Sequence, residues 1–174
     1  MKRQQKTVIR KARISDAVKI HKLVQYYAKE DLMLARSLMD IYENIRDYFV
    51  AEKARAIIGC CALHICWKDL GEVKALAVNP VYRKKGIGKD LVEKAMDEAA
   101  RIKLKKVFCL TYIPKFFRKF GFRKIEKRYL PHKIWNECIN CPKFPNCDEV
   151  PMIKKIKKTD VRENKLIGEI NNQQ

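Results

Sequence analysis

A short glycine-containing segment has the residue types needed to bind a phosphate. Arg83, Gly86 and Gly88 are spaced as Arg-x-x-Gly-x-Gly, with lysines on either side of the glycines. An apolar run ends just before this segment at residues 79–80, and a helical pattern begins just after it. The free N–H groups of a glycine loop and of a helix N-terminus attract anions. The segment therefore predicts an anion site, and the alternative is a simple strand-to-helix turn with solvated lysines.

Two better-known phosphate motifs do not fit this segment. Gly88 is followed by Lys89-Asp90, so the Gly-Lys-Ser/Thr ending of a nucleoside-triphosphate loop is missing. The third glycine of a dinucleotide-binding loop is also missing.

A second group of reactive side chains is the cysteine set Cys138-x2-Cys141-x5-Cys147. Its first spacing is typical of a zinc site, because thiolates bind this metal tetrahedrally. A fourth ligand would come from one of three residues: His132, Cys109 or Asp148. The alternative is that the thiols stay reduced and pack among neighbouring aromatic and proline side chains.

The composition limits the possible partners and compartment. Lys and Arg number 39 against 20 Asp and Glu, a net charge of +19, which favours polyanions, including nucleic acid, and equally a phosphorylated cofactor. The lysines are spread along the chain, without the aromatic-interleaved stripe of single-strand binders. We therefore do not expect nucleic acid to be the partner.

Compartment follows from the segments that the sequence lacks. No apolar run reaches the length of a membrane helix, and the basic N-terminus has no signal-peptide core. Seven cysteines without a secretion signal indicate reduced thiols. We expect a cytoplasmic protein without a membrane anchor.

Hydrophobic periodicity predicts the elements that position these residues. Predicted strands cover residues 7–10, 47–52, 56–65, 72–78, 107–111, 122–129 and 150–156. Predicted helices begin at Ser15 or Asp16 as a cap, near residue 38, at residue 89 and at Pro114. Because the helix over 89–103 would cross between two strands, strands 72–78 and 107–111 should be parallel. One domain is predicted over residues 1–156, with an irregular cysteine-rich segment at 130–149 and a basic polar tail at 157–174.

With residues 117–122, Phe-Arg-Lys-Phe-Gly-Phe, the glycine loop resembles the two signatures of the GNAT superfamily of N-acetyltransferases. The resemblance covers about residues 7–156. It implies an α/β (α+β) fold with a mixed central sheet of about six to seven strands, flanking helices and a parallel strand pair that splays apart. It also implies that acetyl-CoA is the co-substrate, held by strand and loop residues: Leu76, Ala77, Val78, Arg83, Lys84, Lys85, Gly86, Ile87 and Gly88.

Three segments are similar to the short single-domain amino-acid N-acetyltransferases, which make N-acetylglutamate in arginine biosynthesis. They are residues 72–78, residues 110–112 and the cysteine-rich block from residue 130 to 152. This resemblance implies L-glutamate as the acceptor and direct transfer without an acyl-enzyme. Acetylation of a protein N-terminus or a polyamine is the alternative among enzymes, and a basic nucleic-acid-binding module is the alternative of another class. A homodimer is possible.

Acetyl transfer requires loss of an ammonium proton, polarisation of the thioester carbonyl and stabilisation of the thiolate. We expect Glu72 to take the proton and the backbone N–H of Leu76 to polarise the carbonyl. An ordinary carboxyl, with a pKa near ~4.3, is a weak base for an ammonium, so burial or a water relay would have to assist. Many members of the superfamily place a tyrosine acid where this chain has Phe117, so Tyr112 or solvent would protonate the thiolate. Alternatively, Glu72 is a solvated strand-end carboxylate and Tyr112 only packs.

Glutamate brings two carboxylates, which cationic side chains bind well when partly buried. Lys74 lies two residues from both Glu72 and Leu76, so the three should share one strand face. We expect Lys74 to contact the substrate, with Arg36 and Arg46 as further candidates.

Overall fold

The computed structural model describes residues 6–130, 138–139, 141 and 143–157. In these residues a sheet of seven strands runs in the order β1-β2-β3-β4-β5-β7-β6, with only β4 and β5 parallel. The strands are β1 (Val8–Lys11), β2 (Tyr48–Lys53), β3 (Ala56–Trp67), β4 (Leu70–Val78), β5 (Lys106–Thr111), β6 (Arg123–Lys124) and β7 (Val150–Lys155). The predicted mixed sheet is confirmed.

Helices cover both faces of the sheet. Helices α1 (Ala17–Lys29) and α2 (Leu38–Glu43) pack on one face, and α3 (Ile87–Arg101) packs on the other. The short helix α4 (Pro114–Arg118) follows β5. Helix α1 buries Ala17, Ile20, Leu23, Val24 and Tyr27, the stripe that a 3.6-residue period places on one side.

Strands β4 and β5 pair only briefly. Their parallel register covers three residue pairs, and the last of them joins Glu72 to Phe108. Both strands continue beyond this pair, to Val78 and Thr111, without further pairing between them in the described residues. The parallel pair is therefore confirmed, and its strands separate after Glu72 to leave a cleft in the sheet.

A β-bulge lies in β4 beside this cleft. Lys74 is opposite Ala62, and Ala77 is opposite Cys60, so Ala75 and Leu76 share the single partner position of Cys61. Ala75 has φ 52°, a left-handed conformation that is uncommon outside glycine. Bulges increase strand twist and leave one residue outside the ladder.

Because of the bulge, the β4 residues after Lys74 face the opposite helix layers from those that strict alternation would give. Leu76 packs with Val73 against the cluster beneath α3, whereas Ala75 and Ala77 pack on the α1 side. The expectation that Leu76 shares a face with Glu72 and Lys74 is therefore wrong. The extra bulge residue reverses the two-residue alternation on which it rested.

Three further local predictions differ from the structure. Of the strand predicted over 122–129, only the two residues of β6 are observed. Strand β6 lies at the edge of the sheet beside β7, and a 3-10 turn occupies Lys127–Tyr129. Helix α3 begins at Ile87, two residues before the predicted start. The Asp16 side chain does not cap α1; its carboxylate accepts from the Arg13 amide at 2.8 Å and pairs with Arg10 at 2.7 Å.

Residues 158–174, most of the predicted tail, and 131–137 lie outside the described residues.

Candidate active site

A cavity of about 1420 Å³ opens where β4 and β5 separate. Its walls come from β4, the end of β5, the linker between α1 and α2, the glycine loop, α4 and described residues between positions 138 and 149. The cleft therefore brings the predicted loop, strand and cysteine-rich segments to one site.

The glycine loop forms one end of this cavity. Gly86 is the N-cap of α3 with φ 85°, a left-handed conformation that glycine adopts without strain. Arg83, Lys84, Gly88 and neighbouring residues line the cavity here, and α3 contributes the N-terminus of a 15-residue helix. Free N–H groups and the helix dipole make this end suited to an anion.

Two of the residues assigned to the cofactor lie elsewhere. Ala77 is 2% exposed and packs in the α1-side core, and the exposed Lys85 holds its Nζ 5.3 Å from the ring centre of Tyr82. Neither lines the cavity, whereas Leu76, Val78 and the other predicted loop residues do.

Tyr27 connects α1 to the glycine loop and to the end of β4. Its hydroxyl donates to the carbonyl of Val78 and accepts from Arg83 Nε at 2.9 Å. The guanidinium carbon of Arg83 also lies 4.9 Å from the centre of the Tyr27 ring. Arg83 is thus held at the cavity by both a hydrogen bond and a cation–π contact.

The other end of the cavity carries opposite charges close together. Lys74 Nζ lies 3.7 Å from Glu72 Oε2, and both side chains are mostly buried. Arg36 lines the same cavity and contacts Asp40 at 3.4 Å. Partial burial opposes the charge of Arg36, but Asp40 and Glu72 nearby raise its pKa on balance. Arg46 is exposed and does not line the cavity.

Tyr112 follows β5 directly and forms hydrogen bonds with the segment before β7. Its hydroxyl donates to Asp148 Oδ1 at 2.9 Å and accepts from Lys143 Nζ at 2.7 Å. Partial burial, supported by the bond to Asp148, raises the pKa of Tyr112 although Lys143 opposes it. The proton of the Tyr112 hydroxyl is therefore engaged by the carboxylate of Asp148.

Glu149 is a further carboxylate in this wall. Burial raises its pKa, although Lys143 opposes the shift, and the Cys147 thiol lies 3.9 Å from its Oε2.

Comparisons with known proteins support an acetyltransferase. A family model described as "Acetyltransferase (GNAT) domain" matches residues 44–124. An uncharacterized N-acetyltransferase of Chlorobaculum tepidum is 45% identical over 150 residues, or 86% of this chain and 97% of that protein. An amino-acid acetyltransferase of Mycobacterium tuberculosis is 36% identical over 75% of this chain and 76% of its own length.

This chain belongs to the GNAT superfamily of N-acetyltransferases.

Solved structures of GNAT proteins agree with this assignment. A Mycobacterium tuberculosis protein in complex with CoA and NLQ has a TM-score of 0.76 and 31% identity, covering 86% of this chain and 99% of that one. The N-acetylglutamate synthase of Neisseria gonorrhoeae, complexed with coenzyme A and N-acetyl-glutamate, has a TM-score of 0.77. At 22% identity, and with 87% of this chain covering 35% of that one, it shows the fold alone. The chain is an acyltransferase that uses acetyl-CoA.

Two aromatic residues of the GNAT signature at 117–122 pack in the hydrophobic core. Phe117 is 3% exposed and packs edge-on against Phe122, with ring centres 5.5 Å apart. A phenyl ring has no proton to give, so this GNAT chain lacks the tyrosine acid at that position, as expected from its sequence.

The described residues do not support the predicted zinc site. Cys138, Cys141 and Cys147 all line the cavity, but no three His, Cys, Asp or Glu side chains within the described ranges are grouped closely enough to hold a metal. Cys109 is buried in the core instead, where burial and the nearby Glu72 and Glu149 raise its thiol pKa. His132 lies outside the described residues.

Sequence reasoning missed three residues of this GNAT site. They are Tyr27, which belongs to the apolar stripe of α1, His64 in β3 and Glu149 just before β7. His64 Nδ1 lies 2.6 Å from Asp47 Oδ2, and His64 lines the cavity. The contacts of Tyr27 and His64 join residues 51 and 17 positions apart, which local periodicity does not reveal.

In the part of the chain that the structure describes, no helix combines the length and apolar character needed to cross a bilayer.

Proposed function

We propose that this enzyme transfers the acetyl group of acetyl-CoA to the α-amino group of L-glutamate by direct attack in a ternary complex. The observation that carries the proposal is the placement of Lys74 and Arg36, both partly buried, beside Glu72 at the point where β4 leaves β5. That end of the cavity holds cations for two carboxylates and an anion for one ammonium, which are the charges of glutamate.

In this proposal acetyl-CoA enters along the splayed strands. Its pyrophosphate binds the N-terminus of α3 and the side chain of Arg83, while the pantetheine arm follows the free edge of β4 near Val78. The β4 bulge places Leu76 at the cavity, so its backbone N–H is the donor proposed for the thioester carbonyl.

The glutamate carboxylates then contact Lys74 and Arg36. Charge-assisted hydrogen bonds of this type are stronger than neutral ones and orient the acceptor. Glu72 receives the ammonium and starts its deprotonation, directly or through a water molecule. The free amine attacks the thioester carbonyl, the C–N bond forms, and the C–S bond breaks to release the CoA thiolate.

Protonation of the thiolate does not need Tyr112. The Tyr112 hydroxyl already donates to Asp148, which favours solvent, or the second proton of the attacking amine, as the source. We infer that Tyr112 mainly holds the cavity wall in place.

The names of the relatives point the same way. The Mycobacterium tuberculosis relative is called an amino-acid acetyltransferase, and a Neisseria structure that shares the fold was crystallised with N-acetyl-glutamate. On this proposal the product enters arginine biosynthesis, and we expect a cytoplasmic location.

The test is thiol release from acetyl-CoA with purified protein and a panel of amines. We expect L-glutamate to give the highest kcat/KM, ahead of other amino acids, a polyamine and a peptide with a free N-terminus. A higher kcat/KM with the polyamine or the peptide would reject glutamate while leaving the acetyltransferase assignment intact.

A further inference from the structure

We propose that His64 is the group that finally accepts the proton of the acceptor ammonium, and that Asp47 is its positioning residue. This inference rests on the proposed function only in requiring an amine acceptor. It concerns the proton, whichever amine proves to be the substrate.

His64 stands directly beside the carboxylate assigned to the ammonium. In the antiparallel pairing of β3 with β4, His64 is opposite Glu72, two residues from the pair of Ala62 with Lys74. Side chains of directly opposite residues project from the same face with Cβ atoms about 5 Å apart. The bulge lies beyond Lys74, so it does not disturb this part of the register. His64 also lines the cavity.

The contact with Asp47 determines which nitrogen can accept a proton. His64 Nδ1 lies 2.6 Å from Asp47 Oδ2, and an ionised carboxylate can only accept a hydrogen bond. The proton of the neutral ring is therefore on Nδ1, and Nε2 carries the lone pair. Among the described residues, His64 lines the cavity and Asp47 does not, so the aspartate holds the ring from outside.

An imidazole suits this step better than a carboxylate does. A carboxylate close to a lysine is a weak base toward an ammonium, whereas imidazole is the side chain that changes charge near neutral pH. His64 retains 28% of its side-chain surface, so a proton taken from the amine can pass on to solvent.

The proton and electron balance is complete without another reactant. One proton of the ammonium passes by way of the Glu72 carboxylate to Nε2 of His64, and the resulting imidazolium is stabilised by Asp47. The amine lone pair forms the C–N bond, and the C–S bonding pair leaves on sulfur. The nitrogen then loses its second proton to the thiolate, so the products are the amide, CoA thiol and one proton released from His64 to water.

Charged side chains from several elements lie near the His64 ring. Glu72 and Lys74 approach from β4, and Asp47 approaches from the turn before β2. Arg36 and Asp40 lie in the wall of the same cavity. Glu72, Lys74 and Asp47 are therefore the charged groups on the elements next to the ring.

The experiment compares H64Q with H21Q, using the amine that the wild-type enzyme acetylates fastest. His21 is a matched control, because it lies on α1, contacts Gln25 at 3.2 Å and does not line the cavity. We expect H64Q to lower kcat/KM about 100-fold near neutral pH, within the range of general-base catalysis. H21Q should stay near wild type, and stabilisation by acetyl-CoA should persist in both variants, which shows that they fold.

The pH profile and the Asp47 variant separate proton transfer from simple packing. The pH profile of kcat/KM should differ between the two enzymes, because without His64 the reaction depends on amine that has already lost its proton to water. D47N should lower kcat with little change in the acetyl-CoA KM, and should add nothing to H64Q. An H64Q enzyme with the wild-type rate and profile, or additive losses in the double variant, would overturn the proposal. Failure of the glutamate assignment would appear separately, in the amine panel of the wild-type enzyme.

Discussion

The hydroxyl of Tyr27 accepts a hydrogen bond of 2.9 Å from Arg83 Nε and donates its own proton to the carbonyl of Val78. This single side chain joins helix α1 to the last residue of β4 and to the first cation of the glycine loop. It links the half of the molecule that covers one sheet face to the end of the cavity where the cofactor is proposed to bind.

Removing this hydroxyl should weaken acetyl-CoA binding. Y27F leaves the Val78 carbonyl and the Arg83 guanidinium without their shared partner, while the aromatic contact to Arg83 remains. We expect a loss of about 1 to 2 kcal/mol in stability and a severalfold higher KM for acetyl-CoA. Y26F is the control, since Tyr26 is adjacent but 48% exposed. Equal effects of both variants on the acetyl-CoA KM would contradict this role.

The two loop glycines should respond differently to alanine. At Gly86 the φ of 85° makes any side chain strained, although no atom lies within 4 Å of the added Cβ. G86A should therefore cost about 1 kcal/mol of stability and raise the acetyl-CoA KM.

At Gly88 an added Cβ would meet Phe116 and Val78 at 3.7 Å, an ordinary contact, and alanine favours the helix. G88A should keep or raise the melting temperature, yet weaken acetyl-CoA binding because the Cβ narrows the cavity near the helix N-terminus. Thermal melts with and without acetyl-CoA measure both quantities. Unchanged acetyl-CoA affinity in both variants would argue against this loop as the phosphate site.

The two charged residues of β4 should affect different kinetic constants. E72Q removes the carboxylate that we propose to receive the substrate ammonium, so kcat/KM should fall about 100-fold. K74A should mainly raise the glutamate KM, because in the proposed binding mode Lys74 contacts a carboxylate in both the ground and transition states. K68A is the control for lost charge, since Lys68 is exposed in the β3–β4 turn. A K74A enzyme with an unchanged glutamate KM would remove Lys74 from the acceptor site.

The partly buried carboxyl of Glu149 should make stability depend on pH. Burial raises its pKa, so the folded state favours the protonated form. Its contribution is then complete below the ordinary carboxyl pKa of about 4.3 and is lost as pH rises through the higher folded value. E149Q should melt about 2 °C or more above wild type at neutral pH, and the difference should shrink toward pH 4.

E126Q controls for the change in net charge, because Glu126 is exposed. An E149Q melting temperature that stays at or below wild type at every pH would show that the ionised carboxylate is stabilised in the fold.

Much of the architecture could be predicted from local pattern. The period of the apolar residues indicated α1, the strands and the crossover helix, and that helix required β4 and β5 to be parallel. Glycine spacing indicated the loop, because a left-handed N-cap such as Gly86 strongly favours glycine. Lys74 could be placed beside Glu72 from the two-residue period of a strand, because this alternation holds from residue 72 to residue 74.

Other features depended on contacts between distant segments. The alternation argument placed Leu76 wrongly, because the bulge opposite Cys61 adds a residue that no sequence signal marked. The zinc prediction relied on cysteine spacing, but spacing does not determine where side chains point, and Cys138, Cys141 and Cys147 line a cavity wall.

The sequence by itself predicted the strands, the crossover helix and a glycine loop suited to an anion, because apolar period and backbone conformation are local properties. Its resemblance to the GNAT superfamily supplied the acetyltransferase prediction. Only the tertiary structure decided where β4 leaves β5, at the pair of Glu72 with Phe108, and which side chains meet there. His64 with Asp47, and Tyr27 with Arg83, are brought together by packing of helices and strands that are far apart in the chain. These contacts depend on how the strands and helices align with one another, which is a property of the whole fold.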